Sequence, residues 1–289
     1  MQHSKTIFVT GATGNQGGAA VRSLLNSGYA VKALTRNPNS EAAKKLKDLR
    51  AEIVQGDLNN KESYSDQIRN VYGVFCVLSL ENGTTKEIKQ GIDLVNLSKT
   101  LGIKHFLYSS VIGADLNTGI PHWESKFIIE NHIRQIGLPH TIVRPASIFE
   151  NFLLPAVKKR IIKGKLPSPI DKNINQLFIG SVDIGSISAC IFDKPEMYLS
   201  KIVPLFSEEL NMEMVSTIFS EVLKRKISYQ KMPMFLTRLV MGKNLFKMFD
   251  WINKNSELLL KNQNKLNGEF PNLLGLRQWL KLQFRMNQD

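Results

Sequence analysis

Cysteine is scarce in this chain. Cys76 and Cys190 are the only two among 289 residues, each inside an apolar stretch. That excludes a disulfide-stapled secreted scaffold and reads as buried, reduced thiols in a cytoplasmic protein. His3, His105, His122, His132 and His140 show no ligand spacing with the cysteines, so no metal site is expected. No apolar run approaches the roughly 20 residues of a membrane-spanning helix. The opening MQHSKTIFVT passes from polar residues straight into a strand-like segment, without the layout of a secretory leader. Acidic residues are too few to balance the basic ones, and the net charge is +13. The excess is spread along the chain, with local clusters such as KKRIIKGK (158–165). No zinc finger, RNP-like motif or basic zipper accompanies it, so direct nucleic-acid binding is not expected.

What is present is a strand–helix alternation. Hydrophobic residues make up 43% and charged residues 22%, enough for a buried core and against disorder. Strands are expected at 5–10, 29–36, 51–58, 73–80, 104–111 and 140–145. Helices are expected at 17–28, 41–49, 60–70, 85–102 and 122–136, with Gly28, Gly102 and Gly137 as stops. Several strands are apolar on both faces, as buried parallel strands are. The order implies an α/β fold, a doubly wound parallel sheet of the Rossmann type. The nucleotide-binding domain is expected over 1–150 and a smaller, mostly helical substrate domain over 151–289, with 176–193 returning to the first. Strand-like pieces occur at 200–205 and 226–230. The apolar, basic segments at 235–254 and 271–284 read as helices that cover a substrate cleft or complete a core, with a membrane or partner surface as the other possibility.

VTGATGNQGG (9–18) follows the first strand and opens the first helix. Gly11 permits a tight turn, Gly14 lets phosphate oxygens approach the main chain, and Gly17 lets the helix pack close to the sheet. Free amides and the positive helix end then face a pyrophosphate. An NAD-preferring site places Asp or Glu about 20 residues further on. Here ALTRNP occupies that place, with no carboxylate between Val31 and Ser40. Arg36 suits a 2′-phosphate, the alternative being a solvated surface charge. Asp57 ends the third strand, placed either to accept from an adenine amino group or to cap the segment starting near Asn59.

In order, VTGATGNQGG, LTRNP, GDL, HFLYSS, HWESKFIIENHI and TIVRPASIFENF resemble the NmrA-like family of atypical short-chain dehydrogenase/reductase relatives. The likeness runs from about residue 5 to 193, and FPNLLGLRQWL looks like the family's C-terminal end. It implies a Rossmann domain, a small helical substrate domain and NADP(H) as ligand. It also implies cofactor contacts at Gly11, Thr13, Gly14, Asn15, Gln16, Arg36, Asp57, Leu58, Leu78, Ser79, Lys89, Lys126, Ile148, Phe149, Glu150 and Asn151. Lys126 would face the nicotinamide ribose or else stand as a solvated helix charge. Glu150 and Asn151 would contact nicotinamide or serve only the loop.

Typical short-chain dehydrogenases carry Tyr-x-x-x-Lys, in which the tyrosine passes a proton to a carbonyl. Four residues before Lys126 this chain has His122. Positions i and i+4 share a helix face, and a histidine donates protons near neutral pH. His122 and Lys126 are therefore the catalytic candidates, while Ser109 or Ser110 would either polarise a substrate carbonyl or serve only loop hydrogen bonding. Two functions follow. One is an NADPH-dependent reductase of a quinone-like, dye-like or other conjugated acceptor, for which hydride transfer needs little acid catalysis. The other is a redox sensor that binds NADP(H) and signals to a protein partner. A homodimer is compatible with both.

Overall fold

Strand β1 (Thr6–Val9) stands near the middle of the main sheet of the computed structural model, which describes residues 5–81, 83–261, 270 and 272–285. His3 and Pro271 lie outside the described residues. In chain order follow α1 (Asn15–Asn26), β2 (Ala30–Thr35), α2 (Glu41–Asp48), β3 (Glu52–Gln55), β4 (Gly73–Cys76), α3 (Thr84–Thr100), β5 (His105–Ser109), α4 (Pro121–Gln135) and β6 (His140–Pro145). The remainder is β7 (Ser147–Ile148), α5 (Pro155–Ile162), β8 (Lys165–Ser168), β9 (Gln176–Ile179), α6 (Ser181–Asp193), α7 (Pro195–Tyr198), β10 (Ile202–Leu205), β11 (Glu208–Leu210), α8 (Met212–Leu223), β12 (Ser228–Lys231), α9 (Met234–Lys261) and α10 (Leu276–Arg285).

The main sheet has the order β10-β6-β5-β4-β1-β2-β3. β1 pairs in parallel with β2, Phe8 opposite Lys32, and with β4, Phe8 opposite Val74. The chain runs outward from β1 to β3, then returns to β4 on the other side of β1. The strand order reverses between β1 and β4, the place where α/β sheets open a crevice for ligands. Gly73, Val74, Phe75 and Cys76 are all buried, as a strand covered on both faces requires. The doubly wound parallel sheet is thus the fold. Its seventh strand is β10, the expected strand-like piece at 200–205, hydrogen-bonded along β6 from Ile142 N–H to the Lys201 carbonyl.

Two compact units share the chain. The first takes residues 1–117, 121–144 and 181–203, and the second takes 118–120, 145–180 and 204–289. In the first, α6 lies so close to α1 that a Cβ on Gly185 would fall 2.5 Å from the Ala19 carbonyl oxygen. Glycine there lets two helix backbones touch. One sheet face is filled by Phe8, Tyr64, Val74, Cys76, Phe106, Tyr108, Leu94 and Ile129. The second unit holds two small sheets, β11-β9-β7 and β12-β8. Its core gathers Phe149, Phe178, Phe219, Leu276, Trp279 and Leu280.

Three expectations change. The helix expected over 60–70 is a single 3-10 turn, Lys61–Ser63, followed by further turns. The Ser63 hydroxyl donates to the Asn60 carbonyl at 2.6 Å and accepts from the Asp57 amide, so a side chain takes up backbone partners that a helix would need. Cys190 is only partly buried, whereas Cys76 is fully enclosed. The C-terminal apolar segments behave differently from each other. α10 completes the core of the second unit, while the start of α9 leaves Phe235, Leu239 and Val240 exposed and kinks at Gly242. Among the described residues no helix is long and apolar enough to cross a membrane.

Candidate nucleotide-binding site

The candidate site lies in the first unit, at the C-terminal ends of β1 to β4. The Thr10 hydroxyl donates to the Val77 carbonyl at 2.9 Å and accepts from the Val77 amide at 3.0 Å, which clamps the end of β1 to the chain leaving β4. Gly11 follows with φ +57, and a Cβ there would meet Val77 Cγ1 at 2.8 Å. A Cβ on Gly17 would lie 2.2 Å from the Gly11 carbonyl oxygen. The turn and the first helical turn therefore close on each other without room for a side chain. Gly14 is the N-cap, no side chain caps the helix, and no acidic residue stands in its first turn. The helix N-terminus keeps its electropositive end available to an anion.

A cleft of about 260 Å³ opens here, lined among others by Gly11, Thr13, Arg36, Asp57, Leu58, Ser79 and Glu81. Asp57 Oδ1 accepts from both the Asn59 amide and its side-chain nitrogen at 2.9 Å, while Gln90 donates to Asn59 Oδ1 at 3.0 Å. Asp57 therefore anchors its loop through Asn59 and also borders the cleft. Arg36 reaches Glu81 Oε2 from Nη2 at 3.0 Å, with both side chains about 63% exposed. Ser79 accepts from the Glu81 amide at 3.2 Å, which fixes the turn that carries Glu81.

The remaining expected cofactor contacts divide. Gln16 Oε1 accepts from the Ser109 hydroxyl at 2.7 Å, linking α1 to the end of β5, and Asn15 is exposed beside it. Leu78 turns into the hydrophobic core. Lys89 stands on the exposed side of α3, paired with Asp93 one turn on, and is not among the residues lining the cleft. Ile148 to Asn151 belong to the second unit. There Phe149 is a fully buried core ring stacked on Phe178, Glu150 accepts from Trp279 Nε1 at 3.2 Å, and Asn151 bonds weakly to Ser147.

Lys126 is not a solvated charge. Its Nζ donates to Glu87 Oε1 at 2.8 Å, and the Ser125 hydroxyl donates to Oε2 of the same carboxylate at 2.5 Å. Glu87 is fully buried in the first turn of α3, where the helix dipole favours an anion. His122 sits one turn before Lys126 and is nearly buried. Burial, and then the Lys126 charge, push its pKa down to about 4. The protonated imidazole expected as a donor near neutral pH is therefore not the resident form, because a desolvated cation beside a lysine is unfavourable. Tyr108 does not replace it. It is fully buried in the core, and burial raises its pKa well above the usual value.

Sequence reasoning missed Glu81, Glu87 and Gln90. Glu87, Gly91, Leu94 or Val95, and Ser98 form the buried stripe of α3 at helical spacing, so the periodicity of 85–102 carried the signal for Glu87. Glu81 sits in a loop, and no periodicity marks it. Among the described residues no group of three or more His, Cys, Asp or Glu side chains is placed to hold a metal ion.

The model of the NmrA-like family matches residues 3–269. An NmrA-like family domain-containing protein of Dictyostelium discoideum is 32% identical over 243 residues, covering 78% of this chain and 80% of that protein. Among solved structures, the Citrobacter sp. triphenylmethane reductase complexed with NADP(H) superposes with a TM-score of 0.80 at 21% identity, covering 96% of this chain and 99% of that one. NmrA, a negative transcriptional regulator in complex with NADP, gives 0.73 at 22% identity, with 99% and 98% covered. At those identities the two structures establish a shared fold. The chain belongs to the NmrA-like family.

Proposed function

We propose that this NmrA-like chain is an NADP(H)-dependent reductase of quinone-like or other conjugated acceptors. The observation that carries the reading is the cleft lined by Gly11 and Thr13 of the glycine turn and by Arg36, with the uncapped N-terminus of α1 following that turn. The residues present fit a pyridine dinucleotide. The α1 amides suit its diphosphate, Arg36 suits the 2′-phosphate, and Asp57 and Leu58 border the adenosine end. The dinucleotide, when bound, supplies the hydride. Lys126, oriented by Glu87, offers an ammonium to ribose hydroxyls. His122 is neutral at physiological pH and holds no ready proton, so acceptors whose own charge or conjugation takes up the electrons suit this site better than simple carbonyls. The name of the Citrobacter neighbour, a triphenylmethane reductase, supports such an acceptor.

A second reading has its own support. A cleft suited to a dinucleotide, in a chain whose buried His122 is neutral, also suits an NADP(H) sensor that signals to a protein partner, and a neighbour of this fold is a transcriptional regulator. The two separate in one experiment. Purified protein and NADPH are mixed with a panel of quinones and cationic dyes, and loss of NADPH absorbance is followed. Turnover abolished by Gly14→Val supports the reductase. Tight NADPH binding without turnover, with a dinucleotide-dependent change in partner binding, supports the sensor.

A further inference from the structure

We propose that Glu81 sets the preference between the two pyridine dinucleotides by holding Arg36 in an ion pair that a 2′-phosphate has to displace. The inference rests on the reading that this cleft takes a pyridine dinucleotide. Arg36 follows β2 and Glu81 lies in the segment between β4 and α3, so their 3.0 Å ion pair joins the two rims of the cleft across the end of β1. The pair is held from one side only. The Ser79 turn fixes the Glu81 backbone, while both side chains remain mostly exposed and free to separate. An exposed pair of this kind is weak, so a ligand can displace it at small cost.

Charge counting gives the direction. The residues lining the cleft include one cation, Arg36, and two carboxylates, Asp57 and Glu81. A 2′-phosphate that reaches Arg36 must therefore replace a carboxylate already there, and the displaced Glu81 stays nearby as a like charge. A 2′-hydroxyl meets the opposite situation, since a carboxylate accepts its proton in a hydrogen bond. Glu81 thus opposes the phosphorylated dinucleotide and favours the other one. It narrows a preference that Arg36 alone would make steep. The position-36 arginine and the absence of an acidic residue at the end of β2 would by themselves mark a strict NADP(H) site. The acidic partner arrives from a different loop.

The test is calorimetric titration of NADP+ and NAD+ into the wild-type protein, Glu81→Gln and Arg36→Met, at low and high salt. Glu81→Gln is expected to tighten NADP+ by about three- to tenfold at low salt and to weaken NAD+ by about two- to threefold, with the NADP+ gain shrinking at high salt. Arg36→Met is expected to lose most of the NADP+ affinity with little change for NAD+. If Glu81→Gln leaves both affinities within about twofold, or weakens NADP+, the role of Glu81 is wrong while the dinucleotide site stands. If the wild-type protein binds neither dinucleotide, both fall. Glu81 is an exposed loop residue, so the variant folds, and near-identical thermal unfolding is the check.

Discussion

Lys126 donates to Glu87 across 2.8 Å, and Glu87 is fully buried while the lysine side chain is 12% exposed. A lysine expected to meet a ribose is thereby also half of a desolvated ion pair that ties α4 to α3. Lys126→Met would leave the Glu87 carboxylate buried with Ser125 alone, and removing one member of a buried pair typically costs about 3–5 kcal/mol. Glu87→Gln should cost less, and the double variant should recover part of the loss. Urea unfolding of the three proteins measures this. Equal stability for Lys126→Met and wild type would show that the pair contributes little.

The glycine turn predicts a graded response. Gly17→Ala places a Cβ 2.2 Å from a backbone oxygen, which no side-chain movement relieves, whereas Gly14→Ala places one 3.3 Å from the same atom. The first should destabilise by about 1–3 kcal/mol or more and abolish dinucleotide binding, and the second should be milder on both counts. Thermal unfolding with and without NADPH ranks them, and a reversed order would contradict the packing described.

His122 gives a kinetic prediction. Positioned acid catalysis is typically worth about 10²–10⁴ in rate. With its pKa near 4, His122 contributes none of this at neutral pH. His122→Gln should hold the turnover of a cationic dye within about twofold, and the rate should show no histidine titration between roughly pH 5.5 and 8. A loss of about 100-fold would restore His122 as the acid.

His105 gives a prediction for acid stability. Its Nε2 lies 2.8 Å from the Thr141 hydroxyl, which itself donates to the Tyr198 carbonyl, so His105 must donate and is the Nε2–H tautomer. Burial first, then His140, push its pKa down to about 4. The unfolded chain takes up this proton near pH 6.5 and the folded chain only near 4, so stability is complete above 6.5 and declines as pH falls between those values. The loss approaches about 3 kcal/mol at most. His122, lowered to the same range, contributes over the same window, so His105→Gln should reduce that slope by about half in denaturant unfolding, and an unchanged slope would assign it to other groups.

The sheet was legible because buried parallel strands are runs of apolar residues, as GVFC and HFLYS are, and because glycines stop the helices between them. The glycine turn was legible because Gly11 and Gly17 stand where the backbone leaves no room for a side chain. The stretch 60–70 was misread because its apolar positions, Tyr64 and Ile68, have helical spacing, while Ser63 and Asn60 divert the hydrogen bonds. Glu81 could not be found from sequence. Its importance comes from the partner it meets 45 residues away in the chain, not from its neighbours.

The order in which the chain visits its two units carries a consequence for anyone cutting or splicing the gene. The stretch containing α6 comes back after residue 180 to seat Gly185 against Ala19, and β10 then closes the edge beside β6. A fragment ending at residue 150 lacks both and exposes the inner surface of α1. The first 150 residues are therefore no transplantable cassette, and a chimera joining them to a foreign tail should come out of cells as inclusion bodies.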